Sequence, residues 1–95
     1  MIREINGKEY SFKMTRKGLR AAEAAGFDVM DMGAKPMTAL TLLWYAELYA
    51  AHPMKYEKAA DLLDEYLDME TSEDFATLLE TFSEDYTAVF GLAAE

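Results

Sequence analysis

Between Pro36 and Pro53 the chain reads Met-Thr-Ala-Leu-Thr-Leu-Leu-Trp-Tyr-Ala-Glu-Leu-Tyr-Ala-Ala-His, apolar on nearly every side when wound into a helix. The flanking prolines mark its ends, and the spacing predicts a helix over 38–51. Leu40, Leu43, Trp44 and Leu48 form one stripe, and Leu42, Tyr45, Ala46 and Tyr49 form another. A one-sided surface helix needs a single stripe. Two stripes therefore leave two readings: the helix is the centre of the domain, or one of its faces is kept for a partner. Trp and Tyr dominate protein interfaces when partly exposed, so the second reading selects Leu40, Trp44, Tyr45, Leu48 and Tyr49 as partner-binding residues. Met14, Met30, Met32, Met37 and Met54 sit around the helix joins, where they offer an adaptable contact surface or simply fill gaps.

The elements around that helix follow from local signals. Asn6-Gly7 suits a two-residue turn whose central positions both need positive φ, so residues 1–13 read as a β-hairpin. Pairing about the turn sets Ile5 opposite Lys8 and Arg3 opposite Tyr10, with Arg3, Ile5, Lys8, Tyr10 and Phe12 on one face. A lone hairpin is barely stable, so that face must pack on helices or join another sheet. Thr15 is placed to cap a helix over 15–25, and Gly26 to end it. The cations Arg16, Lys17 and Arg20 crowd its first turns, against the dipole, which predicts acidic neighbours. Residues 27–36 read as a loop or one helical turn that tucks Phe27 and Val29 inward. Ala59, Leu62, Leu63, Tyr66 and Leu67 predict a helix over 56–69. Phe75, Leu78, Leu79, Phe82, Tyr86, Val89 and Phe90 predict another over 73–90, capped by Thr71 or Ser72, with Ser83 as a candidate break and an end near Gly91. The expected architecture is a single α+β domain over 1–95, mostly α, an N-terminal β-hairpin followed by about four helices.

Composition narrows the function classes. With no cysteine, the chain has no disulfide framework, thiolate metal site or cysteine nucleophile. No apolar leader or membrane span is legible, so a soluble, cytoplasmic protein is expected. The net charge of −9 is unevenly spread: residues 1–35 hold seven basic and five acidic side chains, residues 36–95 two basic and thirteen acidic. A half this acidic repels phosphate backbones, which argues against nucleic-acid binding. Glu57, Asp61, Asp64 and Asp68 lie in a row at helical spacing but lack the alternating ligands and glycine of a calcium loop, so they read as a solvated face and no metal is expected. The lone His52 follows a helix end and reads as a capping group rather than a catalytic base. No phosphate-binding glycine loop and no nucleophile motif accompanies it. A non-enzymatic binding protein without cofactor is the resulting expectation.

The opening Ile2-Arg3-Glu4-Ile5-Asn6-Gly7-Lys8-Glu9-Tyr10-Ser11-Phe12-Lys13, followed by Arg16 through Gly26 and an apolar helix, resembles the tail assembly chaperones of long-tailed bacteriophages and related prophages. Tyr56-Glu57-Lys58-Ala59-Ala60-Asp61-Leu62-Leu63-Asp64-Glu65-Tyr66-Leu67 is similar to a helix common in that family. The resemblance implies a chaperone that coats the aggregation-prone tape measure protein, helps recruit tail tube subunits, and is absent from the finished particle. It also implies a capacity for homo-oligomers, for which the hairpin edge is a plausible joint. The competing expectation, from charge alone, is an acidic inhibitor or nucleic-acid mimic that occupies a basic partner protein.

Overall fold

Asn6 and Gly7 take φ of 51° and 83°, the paired positive values of a type I′ turn. They close β1 (Ile2–Ile5) onto β2 (Lys8–Ser11) in the antiparallel register Ile5↔Lys8, Glu4↔Glu9, Arg3↔Tyr10, Ile2↔Ser11. In this computed structural model, which describes residues 1–90, Arg3, Ile5, Tyr10 and Phe12 form the buried face of the hairpin. Lys8 stays outside and lays its ammonium 5.2 Å from the centre of the Tyr10 ring. The pairing runs one step beyond the strands, for the Phe12 N–H donates to Met1 O at 2.7 Å and the Met1 ammonium to Phe12 O at 3.0 Å.

Helix α1 (Arg16–Ala24) starts where the Thr15 hydroxyl accepts the Gly18 N–H at 2.9 Å. It stops at Gly26, whose φ of 113° lets the Gly26 N–H reach Glu23 O and the Phe27 N–H reach Ala22 O. Of the acidic neighbours expected for Arg16, Lys17 and Arg20, only Glu23 lies beside them among the described residues, and it forms no ion pair with them. All three are exposed, and the one ion pair among the described residues joins Arg3 to Glu73. The next segment contains a single helical turn, α2 (Asp31–Ala34). Phe27 is buried as expected, but Val29 is not. Asp28 folds the backbone around it, accepting the Met30 N–H at 2.9 Å on Oδ1 and the Asp31 N–H at 2.9 Å on its carbonyl, and Val29 is turned to solvent.

Helix α3 (Pro36–Tyr49) begins earlier than expected because Pro36 lies inside its first turn, where a missing N–H costs nothing. Helix α4 (Tyr56–Leu67) buries Ala59, Leu62, Leu63 and Tyr66 and turns Glu57, Asp61, Asp64 and Glu65 outward. Helix α5 (Phe75–Phe90) is capped by Asp74, whose Oδ1 accepts the Thr77 N–H at 2.8 Å, rather than by Thr71 or Ser72. Glu73 is instead drawn back toward Arg3 and Tyr66, so the helix starts after it. The helix passes Ser83 unbroken, and the expected end at Gly91 lies outside the described residues.

The chain thus forms an α+β fold, mostly α: a two-stranded hairpin followed by helices gathered on α3. Helices α1, α2, α4 and α5 and strand β2 all pack against α3, while β1 rests on α4. Ala39, Leu40, Leu42, Leu43, Trp44, Ala46 and Leu48 are buried in the one core. Each of those leucines contributes about 2 kcal/mol by leaving water. Among the described residues no helix is long and apolar enough to cross a membrane.

At Gly18 helix α1 lies close against the backbone of α3: a Cβ there would collide with the carbonyl oxygen of Ala46. Alanine normally strengthens a helix over glycine by about 1 kcal/mol. Here the collision is with backbone, and Gly18→Ala should instead destabilise the protein by about 1–3 kcal/mol. Gly33→Ala, with open space around it, serves as the control in urea denaturation. A Gly18→Ala variant as stable as the parent would mean that α1 does not lie this close to α3.

Candidate interaction surface and the polar groups beneath it

Residues that alternate around α3 are divided by what covers each side. Leu40, Trp44 and Leu48 have no exposed surface. Trp44 is enclosed by rings, with Phe12 at 4.7 Å, Tyr66 at 5.4 Å and Phe82 at 6.2 Å between centroids. These three expected partner-binding residues are core, because the hairpin, α4 and α5 close over their stripe, and no partner reaches them without opening the fold. Tyr45 and Tyr49 are different. They stay partly exposed on the flank of α3, joined by Tyr56 from the start of α4. Their rings meet edge to face, Tyr45 with Tyr49 at 5.8 Å and with Tyr56 also at 5.8 Å, an arrangement that favours a fixed aromatic surface over a mobile one. Burial, then the neighbouring Tyr49 and Glu57, hold the Tyr45 phenol above its usual pKa, and burial followed by Glu57 does the same for Tyr56. Both hydroxyls are therefore neutral donors over the physiological range. Tyr56 was not singled out from sequence, although it lies just past Pro53, where the chain turns back along α3.

A second apolar exposure surrounds α2, where Val29, Met30 and Met37 are uncovered. Met32 is partly buried there, and its sulfur receives the Ser83 hydroxyl at 3.8 Å.

Two polar clusters lie beneath these surfaces. Arg3, 6% exposed, stacks its guanidinium over Phe12 at 4.8 Å and Phe82 at 5.3 Å, and donates to both carboxylate oxygens of Glu73 at 2.6 and 3.3 Å. Tyr66 donates its hydroxyl to the same Glu73 at 2.7 Å. The Arg3 hydrogen bond is the main reason the Glu73 carboxyl is held below its usual pKa, against the opposing effect of burial. The second cluster is Glu47, the only acid on α3 and 2% exposed. Burial above all, then the hydrogen bond to Asp85 and its charge, push the Glu47 pKa up to about 9, although Arg3 and the Met1 ammonium pull the other way. Glu47 is thus protonated at neutral pH, with Asp85 of α5 nearby, while its buried Oε2 has no hydrogen-bond partner among the described residues. It lies against a cleft of about 340 Å³ lined also by Met1, Ser11, Lys13 and Ala50. In sequence Glu47 shows only as an interruption of the apolar run, yet a lone acid there was the available signal for a buried carboxyl.

His52 does not cap α3 with its side chain in the expected way. Its Nε2 accepts the Ser11 N–H at 2.9 Å, and its ring meets Tyr10 edge to face at 5.1 Å. The imidazole accordingly carries its proton on Nδ1 and covers part of the free edge of β2. The acidic row on α4 gathers no third ligand: among the described residues no group of His, Asp and Glu is placed to hold a metal.

Residues 1–92, nearly the whole chain, match the family described as a domain of unknown function, DUF5055. The chain belongs to that family. No curated protein and no solved structure matches it.

The Glu47 proton makes a measurable prediction. Between its ordinary pKa near 4.5 and its folded value of about 9, the folded chain holds a proton that the unfolded chain has released. Stability should therefore fall as pH rises through that window. Glu47→Gln keeps the shape without the titration, and relative to the parent it should gain on the order of 1–3 kcal/mol between pH 5 and pH 8. Urea denaturation of both proteins at several pH values measures this; parallel pH profiles would show that Glu47 is not held protonated.

Proposed function

We propose that this chain is a non-enzymatic tail assembly chaperone that binds a segment of the tape measure protein in the bacterial host cytoplasm and assists assembly of the tail tube around it. The observation that carries the reading is the tyrosine cluster Tyr45, Tyr49 and Tyr56, left partly exposed on the flank of an otherwise enclosed helix. Large, rigid aromatic side chains with polar tips bind apolar segments without demanding one sequence, which suits a client that is long and varied. The exposed methionines near α2 add contacts that tolerate different partners. The outward acids of α4, together with the net charge of −9, would keep a loaded complex soluble by mutual repulsion. The resemblance of the hairpin and of 56–67 to tail assembly chaperones supplies the client. Contact with the tail tube protein, and homo-oligomers formed at the hairpin edge, belong to the same proposal.

Co-expression with the tape measure protein encoded in the same gene neighbourhood should raise the soluble yield of that protein several-fold, and the complex should survive about 0.5 M salt, because apolar contacts are little screened. Tyr45→Ser combined with Tyr49→Ser should abolish the gain while circular dichroism shows the helices intact. An unchanged yield with the parent chain would refute the proposal. Binding instead to a basic protein, lost to salt and competed by DNA, would favour the acidic mimic.

A further inference from the structure

Helices α1 and α5 both lie on α3 but scarcely touch each other, and a groove opens between them. Toward the start of α1 it is a cleft of about 400 Å³ whose apolar side is formed by Met14, Ala88 and Val89. It continues, through the shared Val89, into a cleft of about 220 Å³ beside Arg16, Leu19 and Arg20. From Arg16 to Glu23 the groove follows two turns of α1, about 10 Å. Leu19 and Met14 close its floor, Val89 is partly exposed and Ala88 is exposed.

The rim of this groove has the opposite sign to the rest of the molecule. Lys13, Arg16 and Arg20 stand along it and Lys17 lies beside them, all exposed and, among the described residues, outside any ion pair. Two acids also border it, Glu23 at one end and Asp85, which lies near Glu47. The cations also stand at the N-terminal end of α1, where the helix dipole disfavours them. Among the described residues no acid forms an ion pair with these cations to offset that cost. A partner that brings the acids does.

We infer that the α1–α5 groove docks an acidic amphipathic helix of another protein, its apolar residues seated on Val89 and Leu19 and its carboxylates facing Lys13, Arg16 and Arg20. A helix fits because a groove two turns long with an apolar floor receives anchors at i, i+4 and i+7, the spacing of one helix face. A second copy of this chain does not supply that helix. Its acidic helix α4 has already buried Leu62, Leu63 and Tyr66 in its own core and would bring charge without anchors. The groove is separate from the tyrosine cluster, and the inference does not depend on the chaperone reading.

The test uses the full chain and two fluorescein-labelled synthetic peptides of about 16 residues, long enough to favour helix. Both carry leucine at the same i, i+4 and i+7 positions, one with glutamate on the remaining face and one with lysine. By fluorescence anisotropy the glutamate peptide should bind and the lysine peptide should not. In amide NMR spectra the shifts on binding should fall in 13–20 and 81–89. Arg16→Glu with Arg20→Glu, both exposed and harmless to the fold, should weaken binding by about tenfold or more, and the neutral Arg16→Gln with Arg20→Gln by less. Equal affinity for the two peptides, shifts centred on Tyr45, Tyr49 and Tyr56, or indifference to the arginine reversals would each overturn the inference, as would no saturation by the glutamate peptide.

Discussion

A helix that is apolar on every side is stable in water only when other elements cover it on every side, and α3 places that demand on the whole chain. Fourteen residues of helix need more cover than one neighbour provides. The hairpin, α1, α4 and α5 are arranged around α3 accordingly, and the tight contact of Gly18 with the Ala46 backbone shows how closely one of them is drawn in. The hairpin, too weak to persist alone, gains its stability from the same source. Its face carries Phe12 into the aromatic cluster around Trp44.

Apolar cover alone does not fix how the elements are set against one another, and the buried polar groups supply that specificity. Arg3 on β1 meets Glu73 before α5 and, through Glu73, Tyr66 on α4; Glu47 on α3 meets Asp85 on α5. The contacts of Arg3 with Glu73 and of Glu47 with Asp85 join elements far apart in sequence. Sliding any of these elements would leave an ionised or polar group buried without a partner, at a cost of several kcal/mol. The two clusters differ in charge state: the first holds a carboxylate paired with a guanidinium, the second a neutral carboxyl, and only the second weakens the fold as pH rises from mildly acidic to basic.

Much of the fold was legible because it rests on short-range signals. Asn6-Gly7 specified the turn and with it the hairpin register. Thr15 and Gly26 bounded α1 through the backbone geometry they favour, and the period of apolar residues set α4 and most of α5. What escaped was set at long range. The start of α5 moved to Asp74 because Glu73 is recruited by Arg3, seventy positions away, and Val29 turned outward because a side-chain turn at Asp28 outweighed its hydrophobicity. The proposed partner-binding residues were half legible: amphipathicity identified two apolar stripes on α3, but only the packing of other elements decides which is covered. Leu40, Trp44 and Leu48 went inside, Tyr45 and Tyr49 stayed at the surface, and Tyr56 joined them from another helix.

The molecule that results is closed in its centre, and the two surfaces proposed for binding lie on its flanks, at the tyrosine cluster and along the basic groove. Binding at those flanks alone depends on α3 being sealed. Native-state hydrogen exchange tests that most directly. If α3 is the enclosed hub, the amides of Leu42 through Leu48 exchange only by global unfolding, with the free energy found in urea denaturation, and adding a binding partner leaves their mechanism of exchange unchanged. If those amides exchange through a local opening well below the global free energy, α3 is available to partners after all and the account of a sealed core is contradicted.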